Sequence, residues 1–475
     1  MPPIHCLAVR LGPRLALPIV LLGLIMLLPG TVWAGVHTVN VSPPNGVDDT
    51  ANIQAALDAC AAYGKNCTVQ LAAGTYFIKQ LVEYNFQGTF KGKGKDTTII
   101  QALPYLPVTL DFLQPCQPNS TTCLWPTLMI FVDGNISISD LSVHMYASEG
   151  TATAPWPRFG STYIDTGIRL MGQYSTTNVH IDRVGMEGSP DSTSGFGFNV
   201  NNGIMYTGEL SGSSANPLDS PCGAAGGFYF VSGSYTVRNS SFKSMGDGVS
   251  QDGCVRSTRV TIGGSPSTGN TFENHNTGID LESAEHSAFD VSYNESSGMY
   301  AGMSVVPWNP VFVPSSPSRY LIHDNKFIGT AQYGDGMYLL DDPTNPWIQA
   351  AVWNNTIELQ NTLMEGIGVY NTKGTAVWNN NVTSSDGYDG IGLWSTSLDT
   401  VINNNVSGFT VDRTYGLAQI YLDPSTTYDL IVCAERSDTV LNQGTNNIII
   451  GCQQSAEAAT SGTRPNLLRK KPPLR

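Results

Sequence analysis

Apolar and polar residues alternate in short stretches along most of the chain, and these stretches recur at a regular spacing. Many open with a glycine followed by an apolar, a variable and a second apolar residue, as in GIDL (278–281), GIGV (366–369) and GIGL (390–393). A period of two is typical of β-strands, and no helical period of 3.6 residues follows residue 62. The pattern predicts repeated β-units.

A second repeat runs in step with the first. The octets AAVWNNTI, TAVWNNNV and DTVINNNV place Asn355, Asn380 and Asn404 at equivalent positions, 25 and 24 residues apart. Repeats of this length indicate stacked coils, in which equivalent residues lie about 4.8 Å apart. Because Asn tolerates the left-handed backbone of a tight turn, we expect these three residues to stack in one turn. Trp353 should stack on Trp378 in the same way.

One helical pattern precedes the strands. The segment DDTANIQAALDACAAYG places Ile53, Ala56, Leu57 and Cys60 on one face, with Thr50 as the expected N-cap. A stack of coils exposes a hydrophobic end, which a terminal lid can cover. The sequence therefore predicts a capping helix over about 50–62.

The two ends of the chain differ from the repeats. Residues 1–34 carry two arginines before an apolar run that is too short to span a membrane, and Val32 and Ala34 suit a cleavage site. This is typical of a signal peptide, with an uncleaved anchor as the alternative. We expect a repeat domain over 35–452, a disordered tail over 453–475, and a secreted or periplasmic protein with no membrane contact after cleavage.

Charge narrows the range of partners. The formal net charge is −14, and removal of Arg10 and Arg14 with the signal peptide makes it −16. Nucleic acids and anionic membranes bind clustered Lys and Arg, which this chain lacks outside its last seven residues. We expect no nucleic-acid partner, and a monomer.

Eight cysteines remain once Cys6 is removed with the signal peptide. An even count in an exported chain suggests four disulfides, and short loops close most easily, although eight cysteines allow 105 pairings. A metal site is the rival interpretation, but no CxxC or HxxxH spacing favours it. Pairing of neighbours would give Cys60–Cys67, Cys116–Cys123, Cys222–Cys254 and Cys433–Cys452.

Strand alternation predicts which side chains face outward. In GIDLE the apolar Ile279 and Leu281 must point inward, so Asp280 and Glu282 point outward. The same step along the coils gives an outward column with carboxylates in its middle and aromatic rings towards its C-terminal end. Its members are Arg169, Met205, Thr207, Ser250, Asp252, Asp280, Glu282, Ser304, Val306, Tyr338, Leu340, Tyr370 and Trp394.

The carboxylates of Asp252, Asp280 and Glu282 are expected within roughly 5 to 8 Å of one another. Such a cluster either keeps one carboxyl protonated, as a general acid requires, or holds a cation such as Ca²⁺. A solvated acidic face is the alternative. Candidate bases are His286 and Arg169, while a surface role is the simpler interpretation of the histidine.

The rings of Tyr338, Tyr370 and Trp394 offer flat faces on which sugar rings can pack, and a loop-covered aromatic ladder is the alternative. His275 is a further candidate base beside the acidic cluster. A second acidic series precedes the glycines, and we interpret its members first as turn-forming side chains and second as Ca²⁺ ligands. These are Asp247, Asp335, Glu365 and Asp389.

The segment NGVDDTANIQAALDACAAYGKNCTVQLAAGTYFI, followed by coils with Asn turns, resembles the pectate lyase superfamily over most of residues 40–452. The resemblance implies a single-stranded right-handed parallel β-helix. It leaves the reaction open, because similar coils serve lyases, polygalacturonases, alginate epimerases, tailspikes and adhesins.

Signature residues of the better-known branches are missing. Asn276-Thr277 is followed by Gly278 rather than Asp, no Gly-His-Gly occurs, and Asp341-Asp342 lies outside the polygalacturonase order. The closest match to the epimerase Asp-Pro-His-Asp is Asp-Pro-Ser-Thr at 423–426. No catalytic residue of the family is therefore carried over to this chain.

Three functions fit the sequence. The first is a polysaccharide lyase that acts on an acidic glycan, with Ca²⁺ held by the central carboxylates and His286 or Arg169 as base. The second is a glycoside hydrolase that uses a carboxylate pair. The third is a surface β-helix that binds a polysaccharide without turnover.

Overall fold

A computed structural model describes most of the chain between residues 36 and 454. The described ranges are 36–103, 127–145, 164–172, 176–188, 200–208, 231–251, 254–282, 284–298, 301–307, 316–330, 335–344, 346–360, 365–385, 387–409 and 418–454.

These residues form one helix, α1 (Thr50–Tyr63), and 33 strands. The first strands are β1 (His37–Asn40), β2 (Cys67–Gln70), β3 (Gly74–Ile78), β4 (Leu81–Lys91), β5 (Thr98–Ala102), β6 (Thr127–His144), β7 (Ile164–Gly172), β8 (Thr176–Glu187) and β9 (Val200–Gly208). The middle strands are β10 (Val231–Arg238), β11 (Ser241–Gln251), β12 (Val255–Gly263), β13 (Thr271–Glu282), β14 (Ala284–Glu285), β15 (Ala288–Ser292), β16 (Glu295–Gly298), β17 (Ala301–Val306), β18 (Ser318–His323), β19 (Lys326–Gly329) and β20 (Asp335–Leu340). The last strands are β21 (Ile348–Trp353), β22 (Thr356–Leu359), β23 (Ile367–Tyr370), β24 (Ala376–Trp378), β25 (Asn381–Ser384), β26 (Ile391–Trp394), β27 (Thr400–Ile402), β28 (Asn405–Ser407), β29 (Ile420–Leu422), β30 (Leu430–Val432), β31 (Thr439–Asn442), β32 (Ile448–Ile450) and β33 (Gln453–Gln454).

Each strand pairs in parallel with the strand one coil later. In the C-terminal half, β21, β24, β27 and β30 stack as one sheet, β22, β25 and β28 as a second, and β20, β23, β26 and β29 as a third. The third sheet continues towards the N-terminus through β17, β13, β11, β9 and β7. Its outward surface is called the site face below. This arrangement is a parallel β-helix.

The interior is apolar and carries a ladder of buried asparagines. Asn355 Nδ2 donates to Asn380 Oδ1, and Asn380 Nδ2 donates to Asn404 Oδ1, both at 2.9 Å. The predicted stacking is confirmed. The ladder also extends upstream through three further residues at 2.9 to 3.0 Å, namely Asn270, Asn294 and Asn325.

The left-handed backbone belongs to the residue before each ladder asparagine, since Asn354, Asn379 and Asn403 all have φ of 54°. The side-chain amide of the next residue, the ladder asparagine, then points inward and hydrogen-bonds along the helix axis. The Trp353 and Trp378 rings stack with centroids 5.0 Å apart, as predicted.

The helix buries the predicted face, since Ile53, Leu57 and Cys60 are fully buried against the core. The N-cap residue is Asp49, so the expectation of Thr50 was wrong by one position. Thr50 is the first helical residue, and its N–H and its hydroxyl both donate to Asp48 Oδ1, at 3.0 and 2.6 Å. Among the described residues, no helix is long and apolar enough to cross a membrane.

Two of the four expected disulfides are present, Cys60–Cys67 and Cys433–Cys452. Cys254 is also disulfide-bonded. Its expected partner Cys222, the expected pair Cys116–Cys123 and residues 1–34 all lie outside the described residues. The strand pattern continues to Gln454, two residues beyond the expected end of the domain, because β33 pairs with β31.

Candidate functional site

The described members of the column predicted from alternation lie on the site face. Ile279 and Leu281 are fully buried in the core, whereas Asp280 and Glu282 on the same strand are partly exposed. Strand pairing places one residue of each successive coil in register along this column, namely Arg169, Met205, Ser250, Asp280, Ser304 and Tyr338.

The aromatic residues divide between two neighbouring columns. Tyr338 is in register with Gly368, whereas Tyr370 is in register with Leu340 and Trp394. The rings still meet, because the Tyr338 and Tyr370 centroids are 4.9 Å apart and those of Tyr370 and Trp394 are 5.8 Å apart and nearly parallel. These three half-buried rings are called the aromatic platform below.

The central carboxylates lie on β13. Asp280 accepts a hydrogen bond from the Ser304 hydroxyl on the next coil. Glu282 pairs with Val306 on that same coil. Asp252 lies outside the described residues.

The three candidate bases have different surroundings. Arg169 is buried, donates from Nη2 to Thr166 Oγ1 at 3.3 Å, and lies three coils from Asp280, roughly 14 Å at the spacing of paired strands. His286 is exposed just past β14, which pairs with β12 beside the site face.

His275 points into the interior, so it cannot reach a glycan on the outer surface. Its ring lies against Gly298, and its Nε2 lies 2.8 Å from the Ser296 hydroxyl. Burial lowers the pKa of His275 to about 3. The interpretation of His275 as a base was wrong, because its ring is buried in the interior.

A buried carboxylate lies beneath the aromatic platform, and the sequence did not reveal it. Glu365 accepts hydrogen bonds from the Tyr370 hydroxyl at 2.8 Å and from Trp394 Nε1 at 3.0 Å. Gly368 and Gly392 occupy outward positions under it, and a Cβ on either would come within 2.6 or 2.9 Å of Glu365 Oε2. The two glycines therefore make the space that the carboxylate fills.

The electrostatics of the platform follow from this burial. Desolvation raises the pKa of Tyr338 and of Tyr370, and the charges of Asp335 and Glu365 raise both further. Asp335 Oδ1 also accepts a hydrogen bond from the Glu365 backbone N–H at 3.1 Å.

In the acidic series that precedes the glycines, Asp335 and Asp389 hydrogen-bond to the backbone of the next coil, as expected of turn-forming side chains. Asp335 does so through Glu365, and Asp389 Oδ1 accepts from the Ala418 N–H at 2.9 Å. Asp247 lies on β11 in register with Thr277. Within the described ranges, no group of three or more His, Cys, Asp or Glu side chains is arranged to hold a metal ion.

Solved structures share this fold. The DFA-IIIase of Arthrobacter chlorophenolicus A6 in complex with DFA-III has a TM-score of 0.54 at 10% identity, covering 84% of this chain and 95% of its own. The catalytic unit of the GH87 α-1,3-glucanase of Streptomyces thermodiastaticus HF3-3 has a TM-score of 0.52 at 13% identity, covering 90% and 69%. The mannuronan C-5 epimerase AlgE6 A-module of Azotobacter vinelandii has a TM-score of 0.49 at 14% identity, covering 86% and 96%.

No protein-family model matches the chain, and no curated protein matches it. The structural neighbours are right-handed parallel β-helix proteins that act on glycans. At these identities the likeness concerns the fold alone. The parallel β-helix that the resemblance predicted is the fold that these structures share.

Proposed function

We propose that this chain is an exported enzyme that cleaves a polysaccharide by hydrolysis, with Asp280 and Glu282 as its acid and base. The observation that carries the proposal is that both carboxylates leave one strand on the site face, in line with the aromatic platform. Residues two apart on a strand have Cα atoms about 6.7 Å apart. Glycosidase carboxyl pairs are separated by roughly 5 to 9.5 Å, so this spacing suits such a pair.

The two carboxylates have different neighbours on the next coil. The Ser304 hydroxyl donates to Asp280, whereas Glu282 lies opposite the buried Val306. We assign the pair as the acid and the base of hydrolysis, and substitution of each in turn decides which carboxyl gives the proton to the leaving oxygen.

The aromatic platform supports substrate binding along the helix axis. Tyr338 lies two coils from Asp280, about 10 Å away, and Tyr370 and Trp394 follow on the next two coils. An oligosaccharide lying along the axis would contact the rings and the carboxylates together. The two disulfides support export.

A Ca²⁺-assisted lyase is the second candidate, because two outward carboxylates, Asp280 and Glu282, lie on one strand. Ca²⁺ takes six to eight oxygen ligands, to which carboxylates, carbonyls and waters all contribute, and these two side chains could supply part of that set. His286 or Arg169 would have to remove the proton at C5. Arg169 is buried three coils from Asp280, which counts against it as that base.

Incubation of the mature protein with a panel of neutral and acidic polysaccharides, with Ca²⁺ or with a chelator, separates the candidates. Hydrolysis releases reducing ends without ultraviolet absorbance and is insensitive to chelator. A lyase forms an unsaturated product that absorbs in the ultraviolet and is lost with chelator. Binding without either product would overturn the enzyme proposal in favour of a glycan-binding β-helix.

A further inference from the structure

One coil before Asp280, the site face carries a serine whose hydroxyl is buried. Ser250 on β11 is in register with Asp280 on β13, so their Cα atoms lie about 4.8 Å apart. Val249 packs in the core, so strand alternation directs Ser250 outward, yet Ser250 is only 1% exposed. Within the described part of the chain, its Oγ has no hydrogen-bond partner.

A buried hydroxyl without a protein partner calls for a specific reason. Burial of a polar group without a hydrogen bond is unfavourable, and such groups in native proteins often bind a water or take part in catalysis. The neighbours of Ser250 in the column differ in chemistry. Met205 on the preceding coil is buried and apolar, whereas Asp280 on the following coil carries a carboxylate. The polar side of Ser250 is therefore the side of Asp280.

The serine on the opposite side of Asp280 is engaged. Ser304 on β17 is in register with Asp280, and its hydroxyl donates to the carboxylate of Asp280. Side chains in this column thus reach one another across a single coil. Ser250 makes no direct bond of this kind, so a hydrogen bond between Ser250 and Asp280 requires a bridging group. Water is the smallest such group, and buried waters typically bond to about three polar atoms.

We infer that an ordered water held between Ser250 Oγ and the Asp280 carboxylate is the nucleophile of the hydrolysis. The inference rests on the proposed function and gives Asp280 the part of the base. The water oxygen bonds to the anomeric carbon as the bond from that carbon to the leaving oxygen breaks. Asp280 takes a proton from the water, and Glu282 gives a proton to the leaving oxygen. Ser250 positions the water, and the reaction inverts the configuration of the anomeric carbon.

The stereochemical outcome is the first test. The mature protein is incubated with the polysaccharide that it cleaves best, and proton nuclear magnetic resonance identifies the anomer that is released first. We expect the anomer opposite in configuration to the cleaved bond. Retention of configuration would overturn the inference, because a carboxylate would then attack the sugar directly. It would leave the hydrolase proposal standing.

Substitution of Ser250 is the second test. Ser250→Thr keeps the hydroxyl, Ser250→Ala removes it but leaves room for a water, and Ser250→Val puts a methyl group in its place. We expect kcat to fall less than about threefold in Ser250→Thr, about tenfold in Ser250→Ala and about 100-fold in Ser250→Val. KM should change less than about threefold in all three, because the contacts with the sugar are kept.

Two controls accompany these variants. Ser241→Ala, at the other end of β11 where the strand pairs with β8, should keep full kcat. The melting temperature of Ser250→Ala should match or exceed that of the wild type, because no hydrogen bond within the described protein is lost. If Ser250→Val does not fold, Ser250→Ala and Ser250→Thr decide the question.

A crystal structure of the mature protein gives a result that does not depend on turnover. We expect a water about 3 Å from both Ser250 Oγ and an oxygen of Asp280. Its absence would overturn the inference, as would equal kcat in all variants or an effect on KM alone. Each of these outcomes, with cleavage intact, leaves the hydrolase proposal standing. An unsaturated product, or no cleavage of any polysaccharide, would overturn the proposed function and the inference with it.

Discussion

Asp399 makes the stability of the C-terminal coils depend on pH. Its side chain is buried, with Oδ2 accepting from the Thr372 hydroxyl at 2.5 Å and Oδ1 from the Thr375 N–H at 2.8 Å. Burial, together with the nearby charge of Asp429, raises the pKa of Asp399 from 3.8 to about 7 although these hydrogen bonds lower it. The folded protein therefore holds a proton on Asp399 at pH values where the unfolded chain has released it.

This difference destabilises the fold as pH rises. The contribution is fully present below about pH 4 and is lost as pH increases through about 7. Since one pH unit of difference in pKa corresponds to about 1.4 kcal/mol, the change amounts to at most about 4 kcal/mol. That is a large share of the 5 to 15 kcal/mol by which domains are typically stable.

Asp399→Asn should remove this dependence and keep the hydrogen bonds. The chain itself contains the precedent, because Asn447 Oδ1 accepts the Asp429 N–H at 2.9 Å, just as Asp429 Oδ1 accepts the Asp399 N–H at 2.8 Å. Urea unfolding at pH 4, 5.5 and 7.5, followed by circular dichroism, gives the comparison. The variant should match the wild type at pH 4 and exceed it by up to about 4 kcal/mol at pH 7.5. Asp96→Asn, at an exposed turn, should show no such divergence, and a constant difference between Asp399→Asn and wild type across this range would refute the reasoning.

Two further substitutions test the fold and the platform. Asn380→Ala breaks the buried ladder on both sides and should cost about 3 to 5 kcal/mol in urea unfolding, whereas Asn405→Ala, whose exposed amide bonds only to its neighbour, should cost less than about 1 kcal/mol. Equal costs would contradict the ladder's role. Gly392→Ala would place a Cβ 2.7 Å from Trp394 Nε1 and 2.9 Å from Glu365 Oε2, so it should displace the ring, shift the tryptophan emission and weaken glycan binding. Unchanged emission and affinity would show that the space left by Gly392 is not required.

The repeat of the coils could be predicted because the same residue types recur in the sequence at even spacing. The ladder from Asn355 to Asn404 follows regular steps of 25 and 24 residues, whereas the upstream members Asn294 and Asn325 are 31 residues apart. Insertions of variable length hide the same turn there. Only pairing between coils reveals that the ladder is continuous.

The outward direction of Asp280 and Glu282 also followed from alternation, but Glu365 was interpreted as a turn residue. Its place in sequence is a turn, and its carboxylate reaches the site face only because Gly368 and Gly392 leave outward positions empty. A usable signal was present. In GIGVY and GIGLW, an outward glycine stands two residues before an outward aromatic residue, which indicates a space that another side chain must fill.

The inward direction of His275 could have been predicted by the same alternation. Ile279 faces inward, and His275 stands four residues earlier on the same strand, so it also falls on the inward side, as its burial shows. The interpretation of His275 as a base considered only its place in sequence beside the acidic cluster.

The most direct test of the proposed hydrolase is the activity of Asp280→Asn and Glu282→Gln on the polysaccharide that the wild type cleaves best. Each substitution should lower kcat by about 10²- to 10⁴-fold, as expected for loss of a general acid or base, while the melting temperature stays nearly unchanged. Glu273→Gln, with the same change of charge on the same strand, should retain full activity. Turnover that persists at wild-type rates in both variants would contradict the assignment of these carboxylates as the catalytic pair.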